Sequence, residues 1–233
     1  MRSAFALSES LAHRVRDFRV GRVAALIAGE LPYAFGPGPL LLMHVLPIRA
    51  LDPLDRSDVT PFARGVVLRP PTSDNLAIHF CYNFDGVLYY ALGGPNGDVY
   101  AITQSFRSGG IEAIDSFILR FSGANFIHAQ RLEDTLIVSL GQYLARLKEW
   151  GAGTPVFVLM TLLGVRGAVI AVNREVQTKI DRDALFLPEA VIEDFSEDVA
   201  VKLRPAFDAM WQAAGWERCF DYDDKGGRLP FRR

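Results

Sequence analysis

The chain has 233 residues, 50% of them hydrophobic and 22% charged, with 25 Lys+Arg against 27 Asp+Glu for a formal net charge of -2. That much apolar side chain excludes a mostly disordered protein, and the length buries a core without help from metal or disulfide. The near-neutral balance supplies no global attraction to nucleic acid or anionic lipid, so direct nucleic-acid binding is not expected. The two cysteines, Cys81 and Cys219, lie far apart and form no CxxC, which reads as two free thiols in a reducing cytoplasm. The charged opening MRSAFALSESLAHRVRDFRVGR holds no signal-peptide core. The longest run, Val156 to Leu163, is far shorter than the roughly 18 to 20 residues that span a bilayer. A cytoplasmic protein with no membrane partner is expected.

The first element is a helix, with Ser8 as N-cap, Leu11, Val15, Phe18, Ala25 and Leu26 near a 3.6 period, and Gly29 as stop. Arg14, Arg16, Arg19 and Arg22 surround this stripe. They read as a solvated helix face, with a basic rim as the sharper alternative. After a Pro/Gly-rich stretch, Leu40 to Pro47 is a strand covered on both faces, and His44 within it reads as a core histidine. Ile48 to Pro71 is irregular. Asp52, Asp55 and Asp58 there lack the regular oxygen spacing of a calcium loop.

A meander follows: strands Ile78–Tyr82, Val87–Leu92, Val99–Phe106 and Ile111–Phe117, joined by turns at Asp85-Gly86, Asn96-Gly97 and Ser108-Gly109-Gly110. A long helix spans Ala129 to Lys148 and ends at Gly151 and Gly153. Pro155 opens a central strand, Val156 to Leu163, and Ala168 to Val172 returns the chain. Ala190-Val191-Ile192 is a short strand. A last helix occupies Val199 to Ala214, started or kinked by Pro205, and the polar tail beyond Cys219 is expected to fray. The fold class is α+β: an antiparallel β-meander flanked by helices, with an additional strand pair and a C-terminal helix, all in one domain over 1–233. Its parts are the helix of 1–30, strands and meander over 40–117, helix, strands and C-terminal helix over 129–214, and the tail of 219–233.

No catalytic motif is present. Gly36-Pro37-Gly38-Pro39 carries no lysine, and Gly93-Gly94-Pro95-Asn96-Gly97 opens no helix, so neither is a phosphate loop. His13, His44, His79 and His128 show no metal-ligand spacing. There is no nucleophile elbow. His79 and Cys81 share a strand face at about 6 to 7 Å, too far for direct proton transfer. No catalytic residue, metal or cofactor is expected. The candidate ligand site lies at the sheet end: Arg107 and Glu112 flank the glycine turn, with His128 and Arg131 at the start of the long helix, a set suited to a small anion. A structural Arg107–Glu112 ion pair is the blander reading of the same residues.

Several phrases carry a family resemblance. They are Gly21-Arg22 with Ala28-Gly29-Glu30-Leu31-Pro32; Gly38-Pro39 through Leu42-Met43-His44-Val45-Leu46-Pro47; Asn83-Phe84-Asp85-Gly86; and Gln104-Ser105-Phe106-Arg107-Ser108-Gly109-Gly110-Ile111-Glu112-Ala113. Thr161-Leu162-Leu163-Gly164-Val165-Arg166-Gly167 and Leu203-Arg204-Pro205-Ala206-Phe207-Asp208 complete the set. Together they resemble the C-terminal region of bacterial proteins that carry an N-terminal AlbA-like domain of the Schlafen type, often labelled DNA-binding or ATP-binding. The AlbA-like domain itself is not in this sequence, so those labels attach to none of its residues. The resemblance implies an interaction or ligand-sensing domain working with an AlbA-like nucleic-acid-binding partner. An enzyme with a polar site assembled at the sheet end, and a weak nucleic-acid-binding domain using the α-helical arginines, are the alternatives.

Overall fold

The computed structural model describes residues 2–31, 33–35, 37–52, 58, 67–73, 76–92, 99–119, 126–172 and 175–230, with backbone alone for 2–10. Helix α1 (Arg2–Ile27) opens the chain. Strand β1 (Leu40–Pro47) follows and runs into a 3-10 turn at Ile48–Leu51. The meander is β2 (Ile78–Tyr82), β3 (Gly86–Leu92), β4 (Val99–Phe106) and β5 (Ile111–Asp115). Helix α2 (Ala129–Glu149) leads to β6 (Val156–Leu163), the small strands β7 (Ala171–Val172), β8 (Glu175–Val176), β9 (Ala184–Phe186) and β10 (Ala190–Ile192), and helix α3 (Val199–Ala213).

Eight strands make one antiparallel sheet in the order β10-β6-β1-β5-β4-β3-β2, with β9 beside β10 on the same edge of β6. The protein is therefore α+β, as its patterning implies. β1 lies inside the sheet, between β6 and β5, because seven of its eight residues, Leu41 to Pro47, can be buried on both faces. Alternation along the strand divides the core in two. Leu41, Met43 and Val45 pack with Leu132, Leu136 and Leu140 of α2 and with Leu203 and Phe207 of α3. Leu42 and Leu46 pack on the other face, with Val23 and Val15 of α1. The sheet is thus covered by α1 on one side and by α2 and α3 on the other.

The β2–β3 turn demands glycine at one position. Gly86 has φ +152°, and a Cβ there would fall 2.0 Å from the Ser105 carbonyl oxygen of β4. Asn83 and Gly86 exchange both main-chain hydrogen bonds, at 3.0 and 3.3 Å. Close strand approach and a tight turn meet in that residue.

Several expectations change. Helix α1 begins at Arg2 and runs through Ser8, which is therefore no N-cap; Gly29 with φ +78° does end it. The fourth strand stops at Asp115, whose carboxylate turns back to accept the amides of Phe117 and Ile118 at 2.8 Å each. The segment after β6 does not return along it: Ala171–Val172 pairs with Glu175–Val176 in a separate hairpin. β9 was not anticipated. Pro205 does not start α3, which begins at Val199 under an Asp198 cap and carries Pro205 in its interior. The tail from Cys219 to residue 230 is docked, since Cys219 and Tyr222 are buried and Arg228 is paired. Both cysteines are free thiols, but Cys81 is only half-buried. The Asn96-Gly97 turn and Asp55 lie outside the described residues. Among the described residues, no helix is long and apolar enough to cross a membrane.

Candidate functional site

Register sets a polar row beneath α1. Glu112 of β5 lies opposite His44 of β1 on one side and opposite Gln104 of β4 on the other. Directly paired residues share a face, so the three side chains line up across the α1 side of the sheet. Each is buried. Arg22, one turn beyond Phe18 on α1, closes the row from above. Its Nε and Nη2 reach Glu112 Oε2 and Oε1 at 2.8 and 2.6 Å, and His44 Nε2 lies 2.9 Å from Oε2. Burial pushes the Glu112 carboxyl up, but the Arg22 and His44 hydrogen bonds outweigh it and hold the group down at about 2. Gln104 continues the row to Asn83, whose Nδ2 donates to Gln104 Oε1 at 2.7 Å.

In front of this network lies a cleft of about 530 Å³. It opens between α1, the 3-10 turn after β1, and the two hairpin turns at the meander's end. Phe18 and Phe106 form its floor, edge to face at 6.3 Å. The Arg22 guanidinium stacks on Phe106 at 5.2 Å, so the salt bridge directly supports that floor. Phe84 stands at the rim, 84% exposed. Arg14 enters from α1 and donates to the Leu51 carbonyl. Arg107 enters from the β4–β5 turn, its Nε donating to the Phe84 carbonyl at 2.9 Å. Two other clefts, of about 620 and 550 Å³, are less suited to a ligand. The first is rimmed by the Asp181–Arg182 ion pair, and in the second the Tyr143 hydroxyl already donates to Arg69 O.

The four residues expected at the sheet end do not converge. Arg107 lines the cleft, but it does not pair with Glu112, whose carboxylate is taken by Arg22 and His44. The reason is geometric: Glu112 faces α1 by strand alternation, whereas Arg107 lies past the end of β4 and folds over the neighbouring turn. His128 and Arg131 are exposed at the start of α2, on the opposite side of the sheet, with the His128 ring edge-on to Phe126 at 4.9 Å. Of the four α1 arginines, Arg14 and Arg16 lie on an exposed face as expected, whereas Arg19 and Arg22 do not. Arg19 is buried, donating to Leu187 O at 3.1 Å and lying 3.6 Å from Glu189, while Arg22 is half-buried in the network.

A further buried carboxylate, Glu133, was not anticipated. Glu133 of α2 accepts from Trp211 Nε1 at 2.7 Å and from the Cys219 thiol at 3.3 and 3.4 Å to its two oxygens. Arg228 binds it and also Asp134, the latter at 2.7 Å. The signal was present in the sequence, because Glu133 falls on the apolar stripe of Ala129, Leu136 and Leu140. Glu133, Cys219 and Asp221 place ligand atoms within 4.8 Å of one another. That grouping already has its cation in Arg228, and burial and the nearby Glu133 push the Cys219 thiol up, against the thiolate a metal needs. The cluster is a clasp between α2 and the C-terminal segment. Comparison of the chain with family models, curated proteins and solved structures returns no match.

Proposed function

We propose that this chain is a non-enzymatic ligand-sensing or interaction domain that works beside an AlbA-like nucleic-acid-binding partner, with the cleft between α1 and the meander's end as its ligand site. One observation carries the reading: the cleft has an aromatic floor and two guanidiniums on its walls, while the Glu112 carboxylate behind it is taken by Arg22 and His44. Both Glu112 oxygens are taken, by Arg22 and by His44 Nε2, and Glu112 and His44 are closed to solvent, although His44 Nδ1 has no partner among the described residues; burial beneath α1 suits a scaffold better than a general acid or base. The inward placement of Arg19 and Arg22 leaves little of a basic stripe on α1 and speaks against direct nucleic-acid binding. The AlbA-like partner is supported by the sequence phrases quoted above.

The test is a melting comparison of wild type and Arg107→Ala against a library of metabolites and nucleotides. Arg107 contributes one exposed hydrogen bond to a carbonyl, so its loss should lower the stability of the free protein by at most about 1 kcal/mol. A ligand that raises the wild-type melting temperature should lose that effect in the variant. A rise that survives the substitution removes Arg107 from the site, and a library with no wild-type hit removes the ligand-sensing role.

A further inference from the structure

We propose that the cleft takes a small anion with a flat apolar body, an aromatic or heteroaromatic carboxylate or phosphate, its charge held by Arg14 and Arg107 and its ring laid against Phe84 and Phe106. The inference rests on the ligand-sensing reading and names its ligand class.

The cations come first. Arg14 and Arg107 sit on different walls of the cleft, and each bonds a main-chain carbonyl, Leu51 O and Phe84 O. Among the described residues neither has a carboxylate within salt-bridge distance, whereas Arg22, Arg146, Arg182 and Arg228 all do. A guanidinium carries five N–H donors, so each retains several for an anion after its one carbonyl bond. The carbonyl bonds meanwhile fix both side chains, which reduces the ordering cost of binding.

Three aspartates line the same cleft, and each has an interaction of its own. Asp17 lies 3.2 Å from His13 on α1, Asp85 sits in the field of Arg22, whose guanidinium it helps keep charged, and Asp52 makes contacts of its own.

The ring follows from the phenylalanines. Phe84 is an aromatic side chain held almost wholly in water at the rim of a concave site, and Phe106 lies at the floor with Arg22 stacked on it. A flat ligand covers Phe84 and removes that apolar surface from water. A volume of about 530 Å³ accommodates a single-ring or fused-ring ligand.

Isothermal titration of the full chain tests this with three probes: benzoate, its uncharged counterpart benzamide, and AMP. Benzoate or AMP should bind one to one, with benzoate at least about tenfold tighter than benzamide, the ratio expected for one charge-assisted hydrogen bond. Arg107→Met and Arg14→Met should each erase that preference while lowering the melting temperature by no more than about 4 °C. Equal affinity for benzoate and benzamide, a preference that persists in both variants, or no binding of either anion would overturn the inference. If the metabolite library yields only neutral or cationic hits, the anion assignment fails while the ligand-sensing reading stands; if it yields none, both fail.

Discussion

Replacing Glu112 with Gln should destabilise the protein by about 3 to 5 kcal/mol, the loss typical of breaking a buried ion pair by removing one partner. The variant leaves the Arg22 guanidinium, only 23% exposed, facing an uncharged amide, and leaves fully buried His44 without its acceptor carboxylate. Arg22→Met should cost a similar amount, and the double variant much less than the sum, since the two side chains share one interaction. The pH dependence has a definite sign. Glu112 titrates at about 2 in the fold, below its ordinary 4.5, so its contribution is fully present above pH 4.5 and is lost as pH falls through about 2. Denaturant melts from pH 7 to pH 2 should show this acid loss in wild type and not in Glu112→Gln. The floor of the cleft should respond too: with Glu112 gone, Arg22 loses its anchor and Phe106 its stacked partner.

Removal of Arg228 should cost about 3 to 5 kcal/mol near pH 8 and much less near pH 5. Arg228 is the cation that compensates Glu133, and without it an ionised carboxylate remains buried beside Trp211 and Cys219. Glu133 differs from Glu112 in sign. Burial raises it to about 6 from an ordinary 4.5, against the Trp211 and Arg228 interactions that lower it. A raised carboxyl contributes stability that is fully present below the ordinary pKa and is lost as pH rises through the folded value. The shift of about 1.5 corresponds to about 2 kcal/mol lost between pH 4.5 and pH 7 in wild type. In Arg228→Ala the carboxyl rises further, so at pH 5 it carries a proton and the variant approaches wild type. Chemical melts of both proteins at pH 5 and pH 8 read this directly; a penalty independent of pH would show that Arg228 acts by packing over Tyr222 alone, where its guanidinium lies 5.2 Å from the ring.

The elements with local periodicity were legible in the sequence. The all-apolar β1, the meander of Ile78 to Phe106 and the stripe of α2 each declare themselves within a few residues. The small strand β9 did not, because three residues of which one is buried carry too little pattern. The polar network was invisible for a different reason. Arg22, His44 and Glu112 lie 22 and 68 residues apart and meet only because β5 pairs with β1 and α1 crosses both. Arg107 and Glu112 are neighbours across a glycine turn, and proximity along the chain suggested a pair, but Glu112 is taken by Arg22 and His44 while Arg107 folds over the Phe84 turn. The tail misled through composition: DYDDKGGRLPFRR is polar, yet Arg228 finds a buried carboxylate that its own neighbourhood does not reveal.

A two-dimensional ¹⁵N–¹H titration of the full chain, with the strongest hit of the melting screen, separates a sensing cleft from every other use of this fold. The expected result is saturable shifts confined to the cleft, at Arg14, Phe18, Phe84, Phe106 and Arg107, with the ligand's own resonances unchanged after prolonged incubation. Shifts centred on the Glu133–Cys219–Arg228 clasp, or conversion of the ligand into another compound, would contradict it.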